Sequence, residues 1–325
     1  MLRYLCGALF AALCMASWGT TAQAQDCERG TLDARYCDRD GDLVADPPTE
    51  ARQFVDPPVL IFAYTPVEDP AVYRAVWQDF MDHLSRETGK RVQFFAVQSN
   101  AAQIEAMRAG RLHVAGYASG SVPLAVNCAG FVPVTMMATL DGQFGYKMEI
   151  IVQADGPIQR IEDLRGRTVA FTSQTSNSGF KAPSALLEGQ FGLRADRDYR
   201  TAFSGRHDNS IIGVANRDYD AAAIANSVMI RMIARGAVDG ARLRTIYTSD
   251  PFPTTAYGHA NTLAPPLAAK IREAFATFKW EGSGLQREFA KNQPPVGTFM
   301  PISYRQHWTV IRQIDEATGA RYTCR

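Results

Sequence analysis

The chain has 325 residues, 46% of them hydrophobic, and its 34 basic and 33 acidic side chains leave a formal net charge of +1. A balance this even excludes the basic footprint of a nucleic-acid binder and the polybasic face of a membrane-surface protein. The length is enough for two packed domains of about 150 residues each.

At the N-terminus, Arg3 precedes an apolar run from Leu5 to Trp18, and Ala22-Gln23-Ala24 places small residues around a cleavage point. This pattern predicts a secretory signal peptide over residues 1–24, cut after Ala24. Its apolar run falls short of the roughly 20 residues that a membrane span needs. Cys14 follows Leu13 rather than the small residue that precedes a lipidated cysteine. The expected product is therefore a soluble exported protein without a lipid anchor. Four cysteines remain after processing: Cys27, Cys37, Cys128 and Cys324. In an oxidising compartment they allow up to two disulfides, in any of three connectivities. The short polar loop between Cys27 and Cys37 favours that local pair and leaves Cys128 with Cys324; a free Cys128 is the alternative.

Residues 25–58 read as an irregular extension rich in Asp and Pro. Within it, CDRDGDLVADPP brings Asp38, Asp40, Asp42 and Asp46 together around Gly41. Alternating carboxylates in a tight loop supply the hard oxygen donors that Ca²⁺ prefers. Glycine is fourth rather than sixth and position twelve is Thr49, so the loop departs from an EF-hand and looks more like the Asp-rich calcium loops of extracellular repeats. A plain acidic turn is the competing interpretation.

From Val59 the pattern becomes regular. VLIFAY is a buried strand, Asp69-Pro70 is an N-cap with a first-turn proline, and a helix is expected through AVYRAVWQDFMDHLSRETG with Val72, Val76, Phe80 and Leu84 on one face. Strand RVQFFAV, a short helix closed by Gly110 and strand LHVAGY follow. This β-α-β-α-β order implies a parallel α/β sheet, whose ligands sit beyond the carboxyl ends of the strands. Those ends are Tyr64-Thr65 and the run Tyr117 to Ser121, which enters a helix through Pro123. GYKMEIIVQ leaves this lobe, and the same grammar restarts with a strand, a small-residue loop and a helix. LRTIYTSDPFPTTAYGHAN returns. The expected organisation is lobe 1 over residues 59–145 and 255–325, lobe 2 over residues 146–254, and two extended crossovers forming a hinge.

The restart carries the densest chemistry. In AFTSQTSNSGFKAPSALL, a strand meets six short polar residues, a glycine and a helix. The first amides of that helix lack internal partners, and Ser176, Asn177 and Ser178 add donors beside them, while Gly179 lets backbone come close. The combination suits a tetrahedral oxyanion held without a metal. No Gly-Lys-Ser/Thr follows, which excludes a nucleotide phosphate loop. His207 is placed at the end of the next strand, with Asp208 beside it. A Ser-His-Asp hydrolase is the reading from a different class, and it lacks a G-x-S-x-G elbow.

These segments, with FSGRHDNSIIGVANRDYDAAAIAN and FPTTAYGHAN, resemble the phosphonate/phosphite-type periplasmic substrate-binding proteins of ABC importers, the PhnD-like family. The resemblance runs from Val59 to about Ile314 and leaves out the Asp-rich extension. It implies a type II periplasmic-binding fold: two three-layer α/β lobes on a two-segment hinge. It also implies a non-enzymatic, monomeric protein that closes over a small phosphorus oxyanion and hands it to an inner-membrane ABC permease. By that similarity Ser176, Asn177 and Ser178 take the anion's oxygens and His207 assists. Tyr64 and Tyr117 sit where the family places first-lobe tyrosines, with Thr65 and Ser119 as neighbours. Members that grip aminoalkyl phosphonates use acidic residues after the short strand, where this chain has Asn226 and Ser227. That departure favours phosphate, phosphite or methylphosphonate. Some relatives resemble arsenite sensors that signal to a histidine kinase through a first-lobe cysteine, and Cys128 is the residue that raises this alternative.

Overall fold

The computed structural model describes residues 27–324; the expected signal peptide lies outside them. In chain order the strands are β1 (Val59–Tyr64), β2 (Arg91–Phe94), β3 (Val114–Tyr117), β4 (Phe131–Ala138), β5 (Tyr146–Gln153), β6 (Thr168–Phe171), β7 (Arg200–Phe203), β8 (Ala221–Ala225), β9 (Leu243–Phe252), β10 (Ala256–Ala260) and β11 (Thr298–Pro301). They form two sheets, ordered β11-β4-β10-β3-β1-β2 and β7-β6-β8-β5-β9. In the first, β1 pairs parallel with β2 and β3, while β10 and β11 pair antiparallel with their neighbours. In the second, β6 lies parallel between β7 and β8, and β5 runs antiparallel to β8 and β9. Both sheets are therefore mixed, with the expected parallel unit at one edge of each, β3-β1-β2 in the first and β7-β6-β8 in the second. β3 and β8 are buried throughout, as strands covered on both faces must be.

The helices are α1 (Pro70–Val76), α2 (Gln78–Thr88), α3 (Asn100–Arg108), α4 (Val122–Ala129), α5 (Ala182–Phe191), α6 (His207–Ala215), α7 (Asn226–Ala234), α8 (Pro265–Thr277), α9 (Gly284–Phe289), α10 (Tyr304–His307) and α11 (Thr309–Ala317). Asp69 caps α1 by accepting the Ala71 N–H at 2.9 Å, and Gly89 ends α2 at φ 72°. The single helix expected over residues 71–88 is broken at Trp77 into α1 and α2. Its inner face is also different: Tyr73, Trp77, Phe80 and Leu84 are buried, whereas Val72 is exposed. The aromatic side chains win because Trp77 packs against Phe62, Phe80 and Tyr257 in a ring cluster that also takes in Phe275 and Phe299.

The chain crosses between sheets twice, through residues 139–145 and 253–255. Tyr146 and Phe252 pair across β5 and β9, so the crossings lie side by side. The irregular extension packs onto the first lobe. The Asp33 N–H reaches the Asn127 carbonyl at 2.9 Å, the Arg35 guanidinium reaches the Cys128 carbonyl at 2.7 Å, and Asn261 Nδ2 reaches the Asp46 carbonyl at 3.1 Å. Cys27 is bonded to Cys37 and Cys128 to Cys324. The second bond spans 196 residues and leaves no thiol at position 128, which removes the chemical basis of the arsenite alternative.

Replacing Cys128 and Cys324 together by serine is expected to lower stability by about 2–5 kcal/mol, the scale for losing a native disulfide. Urea denaturation of the two proteins measures it, and equal midpoints would show that the bond contributes nothing.

Candidate functional site

A cavity of about 70 Å³ lies between the lobes, where the carboxyl ends of β1 and β6 face each other across it. A water needs roughly 10–15 Å³ by this measure, so the space holds about five water-sized groups, the size of a tetrahedral oxyanion. Tyr64, Ser119, Ser176, Asn177, Ser178 and His207 line it, as the sequence led us to expect. Val67, Met137, Val228 and Phe289 give it an apolar side.

The serine-rich loop is built by one proline. Pro183 in α5 has no N–H, so the Gly179 carbonyl four residues earlier is free of the helix ladder. That carbonyl instead accepts the Thr172 N–H at 3.0 Å, tying the turn back to the end of β6. Residues Asn177–Lys181 accordingly form a single π-helical turn, the kind of wide turn that recurs at functional sites. Ser176 caps it, its Oγ accepting the Gly179 N–H at 3.0 Å. The Asn177 and Ser178 amides precede any carbonyl the turn can offer them. Gly179 is required for a reason other than the one expected. Its φ is not positive and it does not line the cavity; a Cβ there would lie 2.0 Å from Thr172 Oγ1 and 2.8 Å from Ser176 Oγ.

His207 is the first residue of α6 rather than the last of a strand. Its Nδ1 accepts the Ala225 N–H at 3.1 Å, which places the proton on Nε2 and makes the ring a donor. Burial, reinforced by the Arg231 charge, pushes its pKa down to about 3, so the imidazole is neutral at pH 7. Tyr64 is likewise held neutral, burial raising its pKa to about 12.

Besides Gly179, four expected site residues lie elsewhere. Tyr117 points into the first lobe, where its hydroxyl donates to the Gln103 carbonyl at 3.1 Å and its ring packs edge-on against Phe131. Thr65 is buried against Asn100. The Asp208 carboxylate accepts the Asp69 N–H at 3.1 Å and pairs with Arg206, so it joins the lobes and does not orient His207. With Nδ1 of His207 committed to Ala225, no Ser-His-Asp relay exists here. Asn226 accepts the Lys147 N–H at 2.8 Å and faces a neighbouring cleft.

The residues that pattern reading missed are mostly contributed from a distance. Arg231, 3% exposed, is the one charged side chain on the cavity wall among the described residues. It reaches Glu68 at 3.4 Å, Tyr73 at 3.3 Å and Asn292 at 3.0 Å, all on the first lobe. Arg235 binds both Glu68 and Glu288, and Lys291 adds a third cation at 2.7 Å from Glu288. Burial acts to lower the Arg231 pKa, but the surrounding Tyr73 and Glu68 raise it overall, so its charge is permanent. Tyr146 on β5 takes the Asn177 amide at 3.2 Å. Gly120 lets the first lobe touch the second: a Cβ there would lie 2.4 Å from the Asn177 nitrogen. Beside it, Lys181 donates to the Gly120 carbonyl at 2.9 Å and pairs with buried Asp315 at 2.6 Å.

Three cavity residues carry buried polar atoms without a partner, Ser119 Oγ, Asn177 Oδ1 and Thr254 Oγ1, while Arg231 Nε lies 3.5 Å from the Glu288 carboxylate. Unmade hydrogen bonds of this kind each cost about 1–3 kcal/mol, so their gathering around one small cavity marks the place a polar ligand fills.

The family model described as "ABC transporter, phosphonate, periplasmic substrate-binding protein" matches residues 62–302. The chain is 26% identical over 279 residues to the phosphate-import protein PhnD of Mycolicibacterium smegmatis, covering 82% of this chain and 85% of that protein. Among solved structures, a binding-protein component of an ABC phosphonate transporter from Pseudomonas aeruginosa superimposes with TM-score 0.71 at 22% identity, covering 80% of this chain and 86% of that one. PhnD1 from Prochlorococcus marinus, in complex with methylphosphonate, gives 0.70 at 17% identity, covering 82% and 100%. Both have the two-lobed architecture of type II periplasmic binding proteins, and the fold of this chain is the same.

Two measurements follow from the geometry. A His207 pKa below its unfolded value of about 6.5 means that its contribution to stability is complete above that pH and is lost as the pH falls toward 3. Urea titrations between pH 7 and 4 should therefore fall less steeply for His207→Asn than for the parent; parallel curves would contradict a neutral buried ring. Gly120→Ala should prevent the lobes from meeting and weaken ligand binding by about tenfold or more, the scale of a misfitted contact, while leaving the melting temperature of the ligand-free protein within a few degrees. Unchanged affinity by calorimetry would show that the contact is dispensable.

Proposed function

The chain belongs to the phosphonate family of periplasmic substrate-binding proteins of ABC transporters, a family of binders rather than enzymes, and we propose that it captures phosphate, phosphite or methylphosphonate between its lobes for delivery to an inner-membrane permease. The observation that carries the ligand class is the composition of the cavity wall: one cation, no carboxylate, and unpaired hydroxyl groups around a space of oxyanion size. Arg231 favours negative charge, and the Ser119, Thr254 and His207 donors suit oxygens distributed over a tetrahedron. An ammonium group on the substituent would meet Arg231 with no acidic side chain on the wall to offset it. This supports the small, unsubstituted end of the phosphonate range.

The unpaired Asn177 Oδ1 sharpens the preference. Its amide nitrogen is committed to Tyr146, so the unpaired end of the group is an acceptor. A phosphate or phosphonate monoanion carries a P–OH that can donate to it, whereas sulfate has no proton to give. The relative from Mycolicibacterium smegmatis is named for phosphate import and the Prochlorococcus marinus protein was solved with methylphosphonate, which is consistent with this class.

Calorimetry with phosphate, phosphite, methylphosphonate, 2-aminoethylphosphonate and sulfate tests the proposal. At least one of the first three should bind, 2-aminoethylphosphonate should bind more weakly than methylphosphonate, and sulfate should give no heat. Ser119→Ala and Ser178→Ala should each weaken the tightest of them by about 1–3 kcal/mol, the value of a hydrogen bond to a charged group. Tight binding of sulfate, or none of any phosphorus oxyanion, would overturn the assignment.

A further inference from the structure

We propose that Asp38, Asp40 and Asp42 form a calcium site in the N-terminal extension, outside the segment that defines the family. One carboxylate oxygen from each lies within 4.8 Å of the others. Alternating acidic residues in a turn are commonplace, and two of the three are satisfied locally: Asp40 Oδ1 accepts the Asp42 N–H at 3.3 Å and Asp42 Oδ1 accepts the Val44 N–H at 2.8 Å. Asp38 is different. It is 6% exposed, and its Oδ2 accepts the Leu43 N–H from the opposite limb of the loop at 3.1 Å, so the carboxylate points into the loop's interior. Its Oδ1 is buried there with no partner.

Three carboxylates this close, one of them desolvated, repel one another unless a cation sits between them. Among the described residues no lysine, arginine or histidine pairs with any of the three. The nearby cations are committed: Arg39 pairs with Asp46 at 3.0 Å, Arg305 donates to the Gly41 carbonyl at 2.8 Å, and Arg272 contacts His259 Nε2 at 3.2 Å. Asp46, which the sequence also suggested, is therefore occupied by Arg39 rather than free for a metal. The donors are all hard oxygens, with no imidazole among them and the adjacent Cys37 locked to Cys27, a set that suits Ca²⁺ and not zinc or copper. Asp38 is also held in place before any ion arrives, by the disulfide at its N-terminal neighbour and by its own N–H on the Glu28 carbonyl at 2.6 Å. A bound ion would fasten the loop where Arg305 and Asn261 already join it to the first lobe.

The test uses the exported, disulfide-bonded protein stripped with chelator and titrated with CaCl₂ alone into the millimolar range, where extracellular calcium modules bind. One-site heat and a rise in melting temperature are expected. Asp38→Asn should weaken the affinity about tenfold or more. Asp40→Asn, at an exposed position where the amide oxygen keeps the turn contact, should do the same without loss of fold. MgCl₂ should respond more weakly. A folded protein that shows neither heat nor thermal shift with CaCl₂, an undiminished calcium response in both variants, or an equal response to MgCl₂ would overturn the proposal.

Discussion

A guanidinium removed from water must be surrounded by acceptors, and Arg231 finds almost all of its acceptors on the lobe it does not belong to. It extends from α7 in the second lobe to Glu68, Tyr73 and Asn292 in the first, with its face over the Phe289 ring. Arg235, one turn later, shares both Glu68 and Glu288 with it. A buried pair of this kind gains little net free energy over hydrated charges, but removing one member strands the others at a cost of about 3–5 kcal/mol. Its effect is thus to specify geometry. The network admits one seating of α7 against α1 and α9, and that seating forms the cationic wall of the cavity.

The opposite rim is fixed by a separate ion pair. Lys181, at the end of the π-helical turn, reaches Asp315 on α11 and the Gly120 carbonyl. The Trp308 indole holds the neighbouring Ser119 carbonyl at 3.0 Å. Ser119 from the first lobe and Asn177 and Ser178 from the second are thereby brought to the same space, and Gly120 lets the two backbones meet there. Short donors anchored in this way lose little entropy when a ligand arrives, which is the advantage of building an anion site from serines and amides. The charge comes from one side and the hydrogen bonds from the other.

Local chemistry made much of this legible. The Asp69-Pro70 cap, the strand VLIFAY and the sequence from β6 through the serine turn into α5 follow from short-range rules, and Ser176, Asn177, Ser178 and His207 meet at one cavity. The failures have a common cause. Tyr117 and Thr65 lie at strand ends, where pattern places the residue but the turn beyond decides which way the side chain faces; at β3 the lining falls to Ala118 and Ser119 instead. Asp208 is drawn away from the cavity by a partner, Asp69, that lies 139 residues distant in the chain. Arg231 sits in the apolar run SVMIRMIARG, where a lone charge inside a helix is itself a signal, but its acceptors lie on distant segments. Trp77 broke a helix that an aliphatic stripe alone would have continued. Each miss depends on a contact between lobes or between layers, the information that a single segment does not carry.

The Cys128–Cys324 bond has a topological consequence. Both crossings, residues 139–145 and 253–255, and everything between them lie within the stretch it closes, so the second lobe is an arc of a covalent ring. A protease that cuts an exposed loop anywhere in that lobe opens the ring into a line and releases nothing. The two pieces stay joined through sulfur, and a nicked molecule keeps the mass and the tethering of an intact one until it meets a reductant.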